Sequence, residues 1–217
     1  MKTLTSDDLK LLESRYRARL VNSLSGVKSA NLVGSTDKEG RENLSIVSSC
    51  FHLGADPALM GLIFRPAVVE RHTFENIVET GQYTINHVNG EIVEKAHQTS
   101  ARYPKSVSEF DATGLTSVYE NNFTAPFVKE ANVQLGLKLK KRIHLEVNKT
   151  ELIIGEIVLI RLSEDILKDD GFVDLVSANS VGVTGLDCYH SINKGDRLSY
   201  AKVDLPITKL NLDGEKL

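Results

Sequence analysis

Apolar positions recur at two different periods along this chain, and the change between them divides it. Near the N-terminus Leu9, Leu12, Tyr16 and Leu20 return every three or four residues behind Ser6, Asp7 and Asp8, with Arg15, Arg17 and Arg19 further on. That spacing predicts a capped amphipathic helix over about 6–24, acidic at its start, basic toward its end and docked by its leucine face. From Ala30 the texture is that of strands. ANLVGST and LSIVSSCFHL flank Asp37–Gly40, where Asp-Lys-Glu-Gly predicts a hairpin turn with Gly40 at positive φ. Pro57 marks the next turn, and the unbroken apolar run ALMGLIF predicts a strand buried on both faces. TFENIVETG predicts a short helix closed by Gly81, QYTINHV a strand, EIVEKAHQTS a helix and ARYPKSVSEFDATG a mixed, loop-like stretch. Two long strands, VQLGLKLKKRIHLEV and ELIIGEIVLIRL, join through Asn148-Lys149-Thr150, and shorter β pieces follow at GFVDLV and VGVTGL. Several strands on short turns, few helices and no regular strand-helix alternation predict a mainly β chain, an antiparallel barrel with helical insertions, forming a single domain over 1–217.

Composition narrows the function without naming it. With 217 residues, 41% hydrophobic and 25% charged, the chain can bury a sizeable core, and disorder is not expected. A formal charge of -3 argues against bulk attraction to nucleic acid or membrane, so any basic site is local. Asp7, Asp8, Lys10 and Glu13 stand where a signal peptide needs its apolar region. No uncharged run approaches the roughly 18 residues of a membrane span, and a cytoplasmic location is the expectation. Cys50 and Cys188 lack CxxC spacing and are expected to be buried free thiols. KLKKRIH reads as a solvated strand end, since alternate strand positions face opposite ways. The six histidines form no HExxH, so no metal is expected. GxSxG, GxxxxGK[ST] and GxGxxG are all missing, which removes the common hydrolase, NTPase and dinucleotide-fold readings.

Candidate chemistry begins with FRPAVVERHTFENI. Thr73 precedes the helical spacing of Phe74, Ile77 and Val78, which puts Arg71, His72 and Thr73 at a helix N-terminus, with Arg65 nearby. Arginines and a hydroxyl around free backbone N–H groups make a phosphate pocket. The plain alternative is that Thr73 only caps the helix while Arg65 and Arg71 pair with Glu70 and Glu75 on the surface. In NLSIVSSCF the small hydroxyl residues Ser45, Ser48 and Ser49 would let a flat ligand approach the backbone, or else mark an edge strand with a solvated face. Gln98, Thr99, Ser100 and Arg102 form a polar, cationic cluster at a helix end.

The order of NLVGSTDKEGRENLSIVSSCFHLGADPALMGLIFRP, RHTFENIVETGQYTINHV, AHQTSARYPKSVSEFDATGL, APFVKEA and IGEIVLI resembles the flavin reductase-like family of FMN-binding split-barrel proteins, across roughly residues 28–203. The resemblance implies a six-stranded antiparallel Greek-key split barrel that dimerises, with flavin near the subunit interface. It places Ser48, Ser49 and Cys50 at the isoalloxazine, Asn43 near its entry, and the Arg65-Pro66 turn with Arg71, His72 and Thr73 on the ribityl phosphate. Thr99 and Ser100 follow as cofactor contacts over the same end, and Tyr189 and His190 of GLDCYH as contacts within the chain or across a dimer interface. By the same resemblance FMN is bound or exchangeable, NADH or NADPH donates a hydride to flavin, and no catalytic acid or base is assigned. The alternative within the family is a flavoredoxin-type carrier whose FMN takes electrons from a redox protein partner without direct use of NAD(P)H. Outside redox chemistry stands a flavin-binding barrel with no turnover.

Overall fold

The computed structural model describes residues 1–66, 70–120 and 122–217. Seven strands form its main sheet: β1 (Asn31–Thr36), β2 (Glu42–Val47), β3 (Cys50–Ala55), β4 (Ala58–Phe64), β5 (Gln82–His87), β6 (Val133–Leu145) and β7 (Thr150–Leu162). Their order is β2-β1-β5-β6-β7-β4-β3, and every neighbouring pair is antiparallel. The two edge strands are consecutive in the chain, joined only through Ser48 and Ser49. Two residues span too short a distance to cross a flat seven-stranded sheet, so the sheet curls until its edges meet. The six strands expected become seven because LSIVSSCFHL, read as one strand, breaks at Ser48-Ser49: its first half pairs with β1 and its second with β4.

β1 is buried at every position, and adjacent residues face different layers because side chains alternate along a strand. Leu32 packs outward with Leu44, Val88, Ile92, Ala96 and Phe110, whereas Val33 points inward with Leu62, Phe64, Phe74, Tyr83, Leu137 and Ile153. Three helices cover the outside: α3 (His72–Thr80), α4 (Val93–Gln98) and α5 (Glu109–Thr113), all contacting β2. Gly81 closes α3 in the left-handed conformation, and Gly40 takes φ 80° in the β1–β2 turn. A hairpin of β8 (Val181–Thr184) and β9 (Cys188–Ser191) follows the barrel.

Several expectations need correction. The N-terminal helix is two, α1 (Ser6–Leu11) and α2 (Ser14–Leu24), because Leu12 is extended and the Glu13 carboxylate caps a new start by accepting from the Tyr16 N–H. Thr5, not Ser6, caps α1, in a reciprocal box with Asp8. Of the predicted face, Leu9, Leu12 and Leu20 are only half-buried and Tyr16 is exposed, and neither helix has a fully buried residue. GFVDLV contributes only an isolated bridge, Leu167 to Val173, since the Asp174 carboxylate draws the Val176 and Ser177 N–H groups into a turn. Cys188 is exposed on β9, while Cys50 is half-buried against the barrel core. In KLKKRIH, Lys140 pairs with Glu156 and Arg142 with Glu151 across the β6–β7 hairpin, which makes it a solvated, acid-paired face.

Candidate flavin-binding cavity

A cavity of about 1160 Å³ opens where β2, the Ser48-Ser49 link, the start of α3, the end of α4 and the β8–β9 hairpin meet. It is lined by Asn43, Ser48, Ser49, Arg65, Arg71, His72, Thr73, Thr99, Ser100 and Tyr189, brought together from across the chain. Three other candidates lie off its wall. Cys50 packs against the barrel interior, where burial pushes its thiol up to about 12. Pro66 contributes its carbonyl, 3.4 Å from Arg71 Nε. His190, one residue beyond Tyr189, stands on the other face of β9, with Nε2 2.9 Å from the Thr184 hydroxyl.

The cationic part of the wall is built from local sequence. α3 begins at His72, and among the described residues no side chain caps its N-terminus; the Arg71 N–H instead donates to Glu75 Oε1 at 3.2 Å. Among the described residues Arg65, Arg71 and Arg102 have no carboxylate within 4.0 Å, so the surface pairing with Glu70 and Glu75 does not form. Burial, then the charges of Arg65 and Arg102, lower the Arg71 pKa. Such mutual repulsion is the mark of cations gathered without their counter-ion. His72 Nε2 is buried without a hydrogen-bond partner among the described residues, and the nearest carboxylate oxygen, of Glu70, is 3.6 Å away. Arginine donors and an open imidazole nitrogen beside an uncapped nine-residue helix are the donor set of an anion site.

Other candidates on the wall are also tied into the framework. The Thr99 hydroxyl accepts from the Ile46 N–H at 2.9 Å and donates to the Ala96 carbonyl at 2.8 Å, tying the end of α4 to β2. Ser49 donates to the Ile63 carbonyl at 2.7 Å. Asn43 is held between Glu109 and the Thr73 hydroxyl. Apolar wall comes from Ile46, Val47, Ile63 and Phe64. Sequence reasoning passed over Glu109, Tyr103, Asp187 and His97; the last faces Tyr189, with Nδ1 2.9 Å from its hydroxyl and the rings edge-on at 5.7 Å. No local signal marks these residues, since they reach the cavity from α4, the loop after it, α5 and the β8–β9 turn. Among the described residues no group of three His, Cys, Asp or Glu could hold a metal, and no helix is long and apolar enough to cross a membrane.

The apolar wall, the cationic end and the volume together fit a planar, phosphorylated ligand of flavin size. Comparison with known proteins points the same way. A split barrel domain protein of flavin reductase type from Shewanella frigidimarina is 53% identical, with a TM-score of 0.89 over 93% of this chain and 100% of that one. Flavoredoxin of Desulfovibrio vulgaris is 25% identical, with a TM-score of 0.68 over 82% of this chain and 92% of that one. An Aquifex aeolicus protein without assigned function is 31% identical over 115 residues, 53% of this chain and 58% of its own, so the match spans under two thirds of that relative. The flavin reductase-like domain matches residues 24–180, and the chain belongs to that family.

Proposed function

We propose that the cavity binds FMN and that the protein is an NAD(P)H:flavin oxidoreductase working as a homodimer in the cytoplasm. The observation that carries this reading is the cluster of Arg65, Arg71 and Arg102, whose guanidinium groups meet no carboxylate within 4.0 Å among the described residues, beside His72 at the α3 N-terminus, in one cavity with an apolar wall and the Ser48-Ser49 link. The guanidinium groups and the imidazole would neutralise and hydrogen-bond the phosphate. Ile46, Val47, Ile63 and Phe64 would exclude water from the ring, and backbone amides around Ser48 to Cys50 would donate to its polar edge. Bound FMN supplies the hydride and electron chemistry. No protein acid or base is then required, and orientation is the chain's contribution. For the dimer, exposed Phe51, Leu53, Val158 and Ile160 on the outer faces of β3 and β7 offer apolar area for a second copy.

The likeness to Desulfovibrio vulgaris flavoredoxin supports a second reading, an FMN electron carrier served by a redox protein partner. An absorbance spectrum of the purified protein from about 300 to 550 nm, followed anaerobically by NADH and then NADPH, separates the two. Flavin bands that bleach with a nucleotide are the expected result and name the donor. Bands that bleach only with dithionite would favour the carrier. A spectrum without bands, even after incubation with FMN and desalting, would overturn tight FMN binding.

A further inference from the structure

Glu109 is the first residue of α5, 5% exposed, and its side chain turns inward to the cavity wall. Its Oε2 accepts from the Leu44 N–H and from Asn43 Nδ2, both at 2.9 Å. Asn43 is thereby oriented so that its Oδ1 accepts from the Thr73 hydroxyl, and the Thr73 oxygen also lies 2.9 Å from the Ser45 hydroxyl. The chain of bonds crosses from α5 through β2 to the first turn of α3. Its members are distant in sequence, 66 residues separating Asn43 from Glu109 and 30 separating Asn43 from Thr73. Asn43, Ser45 and Thr73 all line the cavity, so the bonds end where a ligand would sit.

We propose that Glu109 is the positioning residue of this cavity: its carboxylate sets the spacing between β2, which leads into the ring-facing Ser48 and Ser49, and the α3 N-terminus, which faces the phosphate. This rests on the flavin reading of the cavity. Removing the carboxylate leaves the Asn43 amide and the Leu44 N–H as buried donors without an acceptor, and frees Asn43 to turn away from Thr73. Each half of the site keeps its own groups but loses its fixed distance from the other. A ligand that bridges the halves then loses the advantage of simultaneous contact, whereas a ligand that uses one half does not.

FMN bridges both halves, and riboflavin, which lacks the phosphate, engages only the ring side. Fluorescence titrations of wild type, Glu109→Ala and Glu109→Gln with each flavin, beside thermal melts, therefore test the role. Expected are a rise in the FMN Kd of about tenfold for the alanine variant and about threefold for glutamine, which keeps one acceptor oxygen. The riboflavin Kd should stay within about twofold in both. Equal losses for the two flavins, or no loss for either, in whichever variant folds would overturn the positioning role. A wild type that binds neither flavin would instead sink the flavin reading itself.

Discussion

Arg71 is the residue on which the proposed anion site turns: half-buried at the α3 N-terminus, beside Arg65 and Arg102, with no carboxylate within 4.0 Å of its guanidinium among the described residues. Arg71→Ala is expected to weaken FMN affinity by about 1.5–3 kcal/mol, the usual worth of a hydrogen bond to a charged group, readable as roughly a ten- to hundredfold rise in Kd. Unchanged affinity would place the phosphate elsewhere. The two thiols differ for a reason equally local. Burial holds Cys50 at about 12, whereas Cys188 is exposed on β9. An aromatic disulfide reagent at pH 8 is expected to titrate one thiol quickly and the second only on unfolding, because the thiolate is the reactive form. Rapid reaction of both thiols would mean that Cys50 is open to solvent.

Elements hold the cavity by being tied to one another. Gly34 shows how tightly: a Cβ there would run into the Pro126 carbonyl and the Thr84 hydroxyl, both buried against β1. Gly34→Ala is expected to cost on the order of 1–3 kcal/mol or more through overpacking, measured as a lower denaturation midpoint at unchanged slope. Thr99, which lines the cavity, spends both hydrogen-bonding roles of its hydroxyl on backbone, clamping α4 to β2. Thr99→Val is therefore expected to lower stability by about 1–2 kcal/mol, since the Ile46 N–H loses its acceptor. A fall in FMN affinity without loss of stability would instead restore the contact role.

At the scale of the molecule, titration sets where the fold is stable. Burial lowers the His87 pKa from 6.5 to about 4, so between those values the unfolded chain binds a proton that the folded chain refuses. Stability from this group is full above pH 6.5 and is lost as the pH falls toward 4. Glu151, bonded first to Arg142 and then to His144, is lowered from 4.5 to about 2, and its contribution is lost across that lower window. Glu109 acts in the opposite sense, its pKa raised by burial, so its part is present below the ordinary value of 4.5 and is lost as the pH rises through its folded value. Thermal melts are expected to fall between pH 6.5 and 4, then more steeply below 4.5, with His87→Gln flattening the first decline. A flat profile through both windows would contradict the burial of His87.

Local pattern was enough for the strands of the barrel, for the Gly40 and Gly81 turns and for the arginine, histidine and threonine that open α3. Strand alternation, left-handed glycines and helix starts are decided by residues within a few positions of one another, and Arg65 to Thr73 form one stretch. The segment resemblance identified the family by the same means, as an order of short patterns. What sequence alone did not decide depends on distance. The break at Ser48-Ser49 exists because β2 and β3 find different partners on opposite edges of a sheet that must close, which no local rule reports. Leu9 and Leu12 read as one stripe with Tyr16 and Leu20 until Glu13 starts a second helix between them. That Thr99 bonds the Ile46 amide, and that Glu109, His97 and Arg102 reach the cavity wall, follows from how α4, α5 and the loop between them pack onto β2. Tertiary structure alone decides those roles, because a side chain's function is set by which groups satisfy it first, and those groups arrive from tens of residues away.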